Sequence, residues 1–203
     1  MDISDYAVYL FSALVPWRYF EKAVNMEMDA IVGGDWALKK MHVSPYAFPV
    51  SRWLIATAEF FFTLMVVFMI FAFLKHEWSM TLVVLPFAVL PWGATALGVG
   101  MICAVLYTFF RDVRTIVQMV LMLAFFSAPI LFSRTLFTEG SFQAAMLEWH
   151  PLTYFAALFQ KPIYFGVWPN VLDWYVTCTV AIATLAAGWS LVDKYKGRFY
   201  FYL

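Results

Sequence analysis

Residues 109–132 read FFRDVRTIVQMVLMLAFFSAPILF. The turn Arg111-Asp112-Val113-Arg114 separates two long apolar runs. No residue from Met80 to Phe110 is charged, and none from Thr115 to Ser133. A helix needs roughly 20 apolar residues to cross a bilayer, so a doubly basic turn between such runs predicts a tight loop joining two membrane-spanning helices. Lys and Arg favour the cytoplasmic side, and this turn therefore orients the rest of the chain.

The whole chain supports that reading. Of its 203 residues, 64% are hydrophobic and 13% charged, and mean hydropathy is +0.78. Soluble domains are closer to about half apolar and about a quarter charged, so the composition predicts an all-α integral membrane protein. The formal net charge is zero, which leaves no electrostatic case for nucleic acid. Cys103 and Cys178 both lie in apolar runs without metal-ligand spacing, and are expected to be buried, inert thiols. His42, His76 and His150 are isolated in sequence, so no metal site is expected. Asp2 and Asp5 give the amino terminus the wrong charge for a cleavable signal.

Outward from the turn, about five spans are expected, four clear and one short, near residues 6–24, 53–74, 80–110, 115–133 and 170–191. The short one rests on YAVYLFSALVPW, Tyr6 to Trp17. It is either a helix whose charged lower end snorkels or an interfacial segment. Residues 25–51 are comparatively polar, and Gly33-Gly34, Pro45 and Pro49 are expected to break helices there. Asp35 can cap a short helix over Trp36 to Met41. Pro86, Pro91 and Gly93 predict a kink or re-entrant piece early in the third span, while Gly93, Gly98 and Gly100 invite close helix approach. In residues 134–169, Ser141 and Pro151 mark the starts of two short outer helices, interfacial or re-entrant. Trp149, Tyr154, Tyr164 and Trp168 suit that boundary.

Charge asymmetry fixes the sides. With the RDVR turn inside, Arg18, Lys22, Lys39, Lys40, Arg52, Arg111, Arg114, Lys194, Lys196 and Arg198 are inside, and only Lys75, Arg134 and Lys161 are outside. Ten against three is a strong positive-inside bias and makes the carboxyl terminus cytoplasmic. Glu59 is costly within a span. It serves either as a pathway or subunit-contact residue or as a carboxylate satisfied by a neighbouring helix.

The placed landmarks resemble the membrane subunit of ABC-2 type exporters, in the branch that exports O-antigen, capsule or teichoic-acid polysaccharide. YLFSALVPWRYFEKAV (Tyr9 to Val24) is similar to that family's second span, DWALKKMHVSPYAFPVSRW (Asp35 to Trp53) to its cytoplasmic coupling segment, and the RDVR turn with the following span to its best-known signature. WHPLTYFAALFQKPIYFGVWP (Trp149 to Pro169) is similar to its outer segment. Relative to the family, the given sequence lacks an amphipathic amino-terminal helix and one span, as expected either of a truncated or misassigned start or of a natural short form; Ser44-Pro45 replaces Phe-Pro, His150 replaces Asn and Gln160 replaces Arg.

The resemblance implies a polysaccharide permease of the bacterial inner (cytoplasmic) membrane, with no catalytic residues. No GxxxxGK[ST] loop occurs in the chain; ATP and Mg are expected on a separate ATPase subunit. Trp36, Leu38, Lys39, Lys40, Arg111 and Asp112 are expected to couple to it. Tyr6, Tyr9, Trp17, Tyr19, Phe20 and Glu59 are expected along the path of a lipid-linked glycan, since aromatic faces suit sugar C–H surfaces. His150, Pro151, Tyr154 and Trp168 are expected at an outer gate. So few spans cannot readily enclose a wide path, so a homodimer is expected within the lipid. The competing reading is a membrane enzyme acting on lipid-linked sugars, with Asp112, Glu148, His150 and Asp173 as its candidate groups. An exporter of lipids or drugs is a further alternative, as is a purely structural subunit.

Overall fold

The computed structural model describes residues 3–34, 44–73, 79–128, 130 and 150–199. These residues are almost entirely helical and contain no strand. The helices are α1 (Ile3–Met28), the single turn α2 (Ala30–Gly33), α3 (Ala47–Phe73), α4 (Leu85–Phe109), α5 (Val113–Ser127), α6 (Pro151–Gln160) and α7 (Val171–Tyr195). A 3-10 turn (Met80–Val84) leads into α4, and a π turn (Lys161–Phe165) ends α6.

Among the described residues, three helical stretches are long and apolar enough to cross a membrane: Ala47–Ala72, Met80–Phe109 and Val171–Tyr195. The architecture is thus that of an all-α, multi-pass membrane protein. Helix α1 has the length of a span at 26 residues, but Arg18, Glu21, Lys22 and Glu27 interrupt its apolar character. Helix α5 has 15 residues.

Helix α4 is the axis of the bundle, packing against α7 along one side and α1 along another, while α3 packs chiefly on α1 and reaches α4 through the Trp53 indole, which donates to the Gly93 carbonyl at 2.9 Å. The α4–α7 contact follows from glycine. A Cβ at Gly98 would overlap the backbone of Thr184 and Leu185, and one at Gly188 would lie 2.6 Å from the Gly98 carbonyl oxygen. In lipid there is little hydrophobic drive between helices, so such backbone approach is a main source of association. The close approach expected of Gly98 is therefore made to α7, while Gly100 receives a side chain from α1.

Several boundaries differ from the sequence-based expectation. Helix α3 starts at Ala47 rather than near 53, because Pro49 lies in its first turn, where a missing N–H costs nothing. Arg52 is consequently one turn inside the helix and exposed. Helix α1 runs on to Met28, through residues expected to be loop. The early kink of the third span is a 3-10 entry capped by Ser79, with Pro86 in the first turn of α4 and Pro91 inside it. Cys103 is buried as expected, but Cys178 is exposed on α7. Helix α6 does begin at Pro151, yet it is not laid on a surface. Thr153, Phe155, Leu158 and Phe159 are fully buried against α1, α4 and α7. The other expected outer helix, after Ser141, lies outside the described residues.

Candidate functional site

The expected coupling helix, with Trp36, Leu38, Lys39 and Lys40, also lies outside the described residues. Both of its flanks are described, and both are pinned to the same end of the bundle. On the leading side, α2 buries Ala30 and Ile31, and Ile31 joins Met101, Ala104, Val105, Val192 and Phe199 in a small core. Gly34 closes α2 against the ring of Phe48, so tightly that a Cβ there would occupy ring atoms. On the trailing side, a turn from Ser44 to Ala47 (2.9 Å) presents Tyr46. Its ring stacks on Trp189 of α7 at 4.4 Å, and its hydroxyl donates to Asp193 Oδ1 at 2.9 Å. Lys196 Nζ donates to the same oxygen at 2.6 Å. Burial first, then the Asp193 carboxylate, raises the Tyr46 phenol above its usual range, so it remains a donor.

The RDVR turn completes this end. The Arg114 guanidinium pairs with Asp29, the residue joining α1 to α2. Arg111 and Arg114 both stand over the Tyr107 ring, at 5.1 and 5.5 Å. Asp112 is exposed and sits at the N-cap of α5, where its side chain makes no capping hydrogen bond. The Arg114–Asp29 pair is nearly half exposed on both sides, so it contributes at most about 1 kcal/mol. Its effect is to fix register between the turn and the α1–α2 junction.

The expected path residues fall into two groups. Tyr9, Trp17, Tyr19 and Phe20 are only 2–6% exposed and form the aromatic core of one chain instead of lining an open passage. Phe20 stacks on Trp92 at 4.6 Å and Tyr19 on Phe60 at 4.5 Å. Tyr9 meets Tyr164 edge-on at 5.3 Å. The Tyr19 hydroxyl shares a hydrogen bond with Thr57 (2.9 Å), and the Trp92 indole N–H donates to the Pro16 carbonyl (2.8 Å). Tyr6 and Glu59 are exposed. The Glu59 carboxylate pairs with Lys22 of α1, so a neighbouring helix satisfies it. The pair edges a groove of about 240 Å³ between α1 and α3, flanked by Phe11, Arg18 and Tyr19.

The expected gate residues stand at the opposite end. Ser127 Oγ donates to the Ala124 carbonyl at 3.0 Å and lies 3.1 Å from His150 Nε2. Nδ1 is buried without a partner among the described residues, and burial holds the His150 pKa below its usual value. Pro151 begins α6, Tyr154 is half-buried, and Trp168 is 60% exposed. Beside them the π turn is stitched to the entry of α4. Thr81 Oγ1 donates to the Pro162 carbonyl at 3.0 Å, and the turn closes at Gly166, whose φ of 63° favours glycine. The Lys161 ammonium pairs with the buried Asp173, which also caps α7 through the Asn170 N–H at 2.8 Å.

Sequence reasoning missed Glu27, Asp29, Tyr46 and Asp193. Glu27 was detectable. Positions 17, 20, 24, 27 and 31 repeat at three and four residues, which sets Glu27 on the same buried stripe as Trp17, Phe20, Val24 and Ile31.

No protein-family model matches the chain. It is similar to two proteins named O-antigen export system permease protein RfbA. Identity to the one from Klebsiella pneumoniae is 25% over 146 residues, 68% of this chain and 54% of that protein. Identity to the one from Myxococcus xanthus is 24% over 199 residues, 98% of this chain and 76% of that protein. The chain thus spans about half the length of the Klebsiella relative and three quarters of the Myxococcus one.

Proposed function

We propose that this chain is the membrane permease subunit of an exporter carrying a lipid-linked polysaccharide, or a related glycoconjugate, out across a bacterial cytoplasmic membrane. The anchorage of the two described flanks, residues 29–34 and 44–48, carries the reading. A short segment held at one flank by Gly34, Phe48 and Asp29–Arg114, and at the other by Tyr46 on α7, can pass a push to α4, α5 and α7 together. The names of the Klebsiella and Myxococcus relatives support polysaccharide export as the purpose of that push.

In this reading a separate ATPase subunit binds ATP and Mg and presses on Trp36, Leu38, Lys39 and Lys40, with Arg111 and Asp112 on the adjoining turn. The RDVR end and the carboxyl terminus are cytoplasmic. Two copies of the chain form the path. Parting of α1 from its neighbours would expose Tyr9, Trp17, Tyr19 and Phe20 beside the already accessible Tyr6 and Glu59. His150, Pro151, Tyr154 and Trp168 would gate the exit.

The enzyme alternative requires its acids and histidine to converge. Asp112 follows Phe109, which meets Tyr195 at the end of α7, whereas Asp173 lies in the first turn of that helix, roughly 30 Å away along its axis. That separation speaks against one site. The direct test of the coupling assignment is Leu38→Pro. Export is expected to stop while the chain still inserts and assembles, and normal export would overturn the assignment.

A further inference from the structure

Glu27 is fully buried, at 0% exposure, and neither of its carboxyl oxygens has a hydrogen-bond partner among the described residues. The packing makes deliberate room for it. At Gly100 of α4 a Cβ would overlap the carboxyl group and lie 2.8 Å from Glu27 Cβ. The side chain therefore occupies a notch that only glycine leaves open. No described cation pairs with it. Lys22 is paired with Glu59, Arg114 with Asp29, Lys161 with Asp173 and Lys196 with Asp193, and Arg52 of α3 is exposed. The titratable groups that feel its charge are Tyr19 on α1 and Cys103 on α4. Both are neutral groups that offer an anion no counter-charge. An ionised carboxylate sealed in such a site costs far more than the neutral acid. Closed packing of α1 on α4 is therefore compatible with the acid and not with the anion.

We propose that Glu27 is a proton-binding site that latches α1 to α4. The carboxyl holds its proton while the notch is closed and gives it to water when the helices part. Separation of α1 from α4 then releases one proton, and alkaline conditions favour it. This inference stands on the α1–α4 packing alone and does not depend on what the protein carries.

Cys103 supplies a native reporter. It is buried on the same face of α4 as Gly100, three residues on, and Cys178→Ser leaves it as the only thiol. The rate at which a small methanethiosulfonate labels Cys103 is measured in the purified chain, reconstituted in liposomes, with Glu27 and with Glu27→Gln, from about pH 6 to about pH 9. Labelling takes place once the helices have parted and water screens both groups, so dividing the two rates at each pH cancels the titration of the solvated thiol. The ratio is expected to climb with pH, approaching about tenfold per unit where the single linked proton is lost. A ratio that stays constant across the range, or a Cys103 that is never labelled in either chain, would overturn the proposal. Gly100→Ala takes the notch away from the carboxyl and is expected to raise labelling several-fold at the acid end. Labelling unchanged in that variant would overturn it as well.

Discussion

Tyr46 joins two roles in one side chain, a ring on Trp189 and a hydroxyl on Asp193, across 147 positions of sequence. Tyr46→Phe keeps the stack and removes one hydrogen bond at a partly exposed site. Stability is expected to fall by no more than about 1 kcal/mol while export drops clearly. Melting temperature and glycan export, measured side by side, check this, and full export would reduce the clasp to packing. His150 gives a second expectation at this scale. Burial lowers its pKa in the fold, so in the window below the usual 6.5 the unfolded chain binds more protons than the folded one. Stability is then fully present above that value and declines as pH falls through it. Thermal melts between pH 7.5 and 5 should show a loss that His150→Gln lacks. Neither role could be read from the sequence, because His150 looked like an isolated boundary histidine and Tyr46 like part of a loop. Both depend on what the fold places opposite them.

At the scale of elements, the α4–α7 seam predicts a graded glycine series. Gly98→Val drives a branched side chain into the backbone of Thr184 and Leu185 and should cost about 1–3 kcal/mol or more. Gly93→Ala meets only the Tyr19 hydroxyl at 3.2 Å and the Trp53 ring at 3.4 Å and should be milder. Gly33→Ala has nothing within 4 Å and should be neutral or slightly stabilising. Melting temperatures and yields of monodisperse protein rank the three. The sequence made the helices legible through their apolar runs, and the small residues of α4 signalled close approach. It did not reveal which helix approaches, since α7 is some 90 positions away. The misplaced boundaries share a cause. Pro49 and the polar run after Val24 read as breakers in isolation, but a first turn tolerates proline and a buried stripe carries α1 through Glu27.

For the whole molecule, hydropathy identified an all-α membrane protein because apolar runs are dictated by the bilayer itself. The candidate site was only half legible. Charge bias collected Arg111, Arg114, Lys194 and Lys196 at one end, and the fold places them with Tyr46, Asp29 and the flanks of residues 35–43. That the aromatic residues of α1 are buried within one chain was not legible, because aromatic content alone cannot separate a core from a channel wall. In the proposed function, this end of the bundle receives force from a separate ATPase. The most direct measurement is affinity purification of the tagged chain from native membranes in detergent, with ATPase activity assayed on the eluate. A co-purifying, vanadate-sensitive ATPase subunit near one-to-one stoichiometry is expected. A clean chain with no ATPase, taken from membranes that normally express it, would contradict the claim.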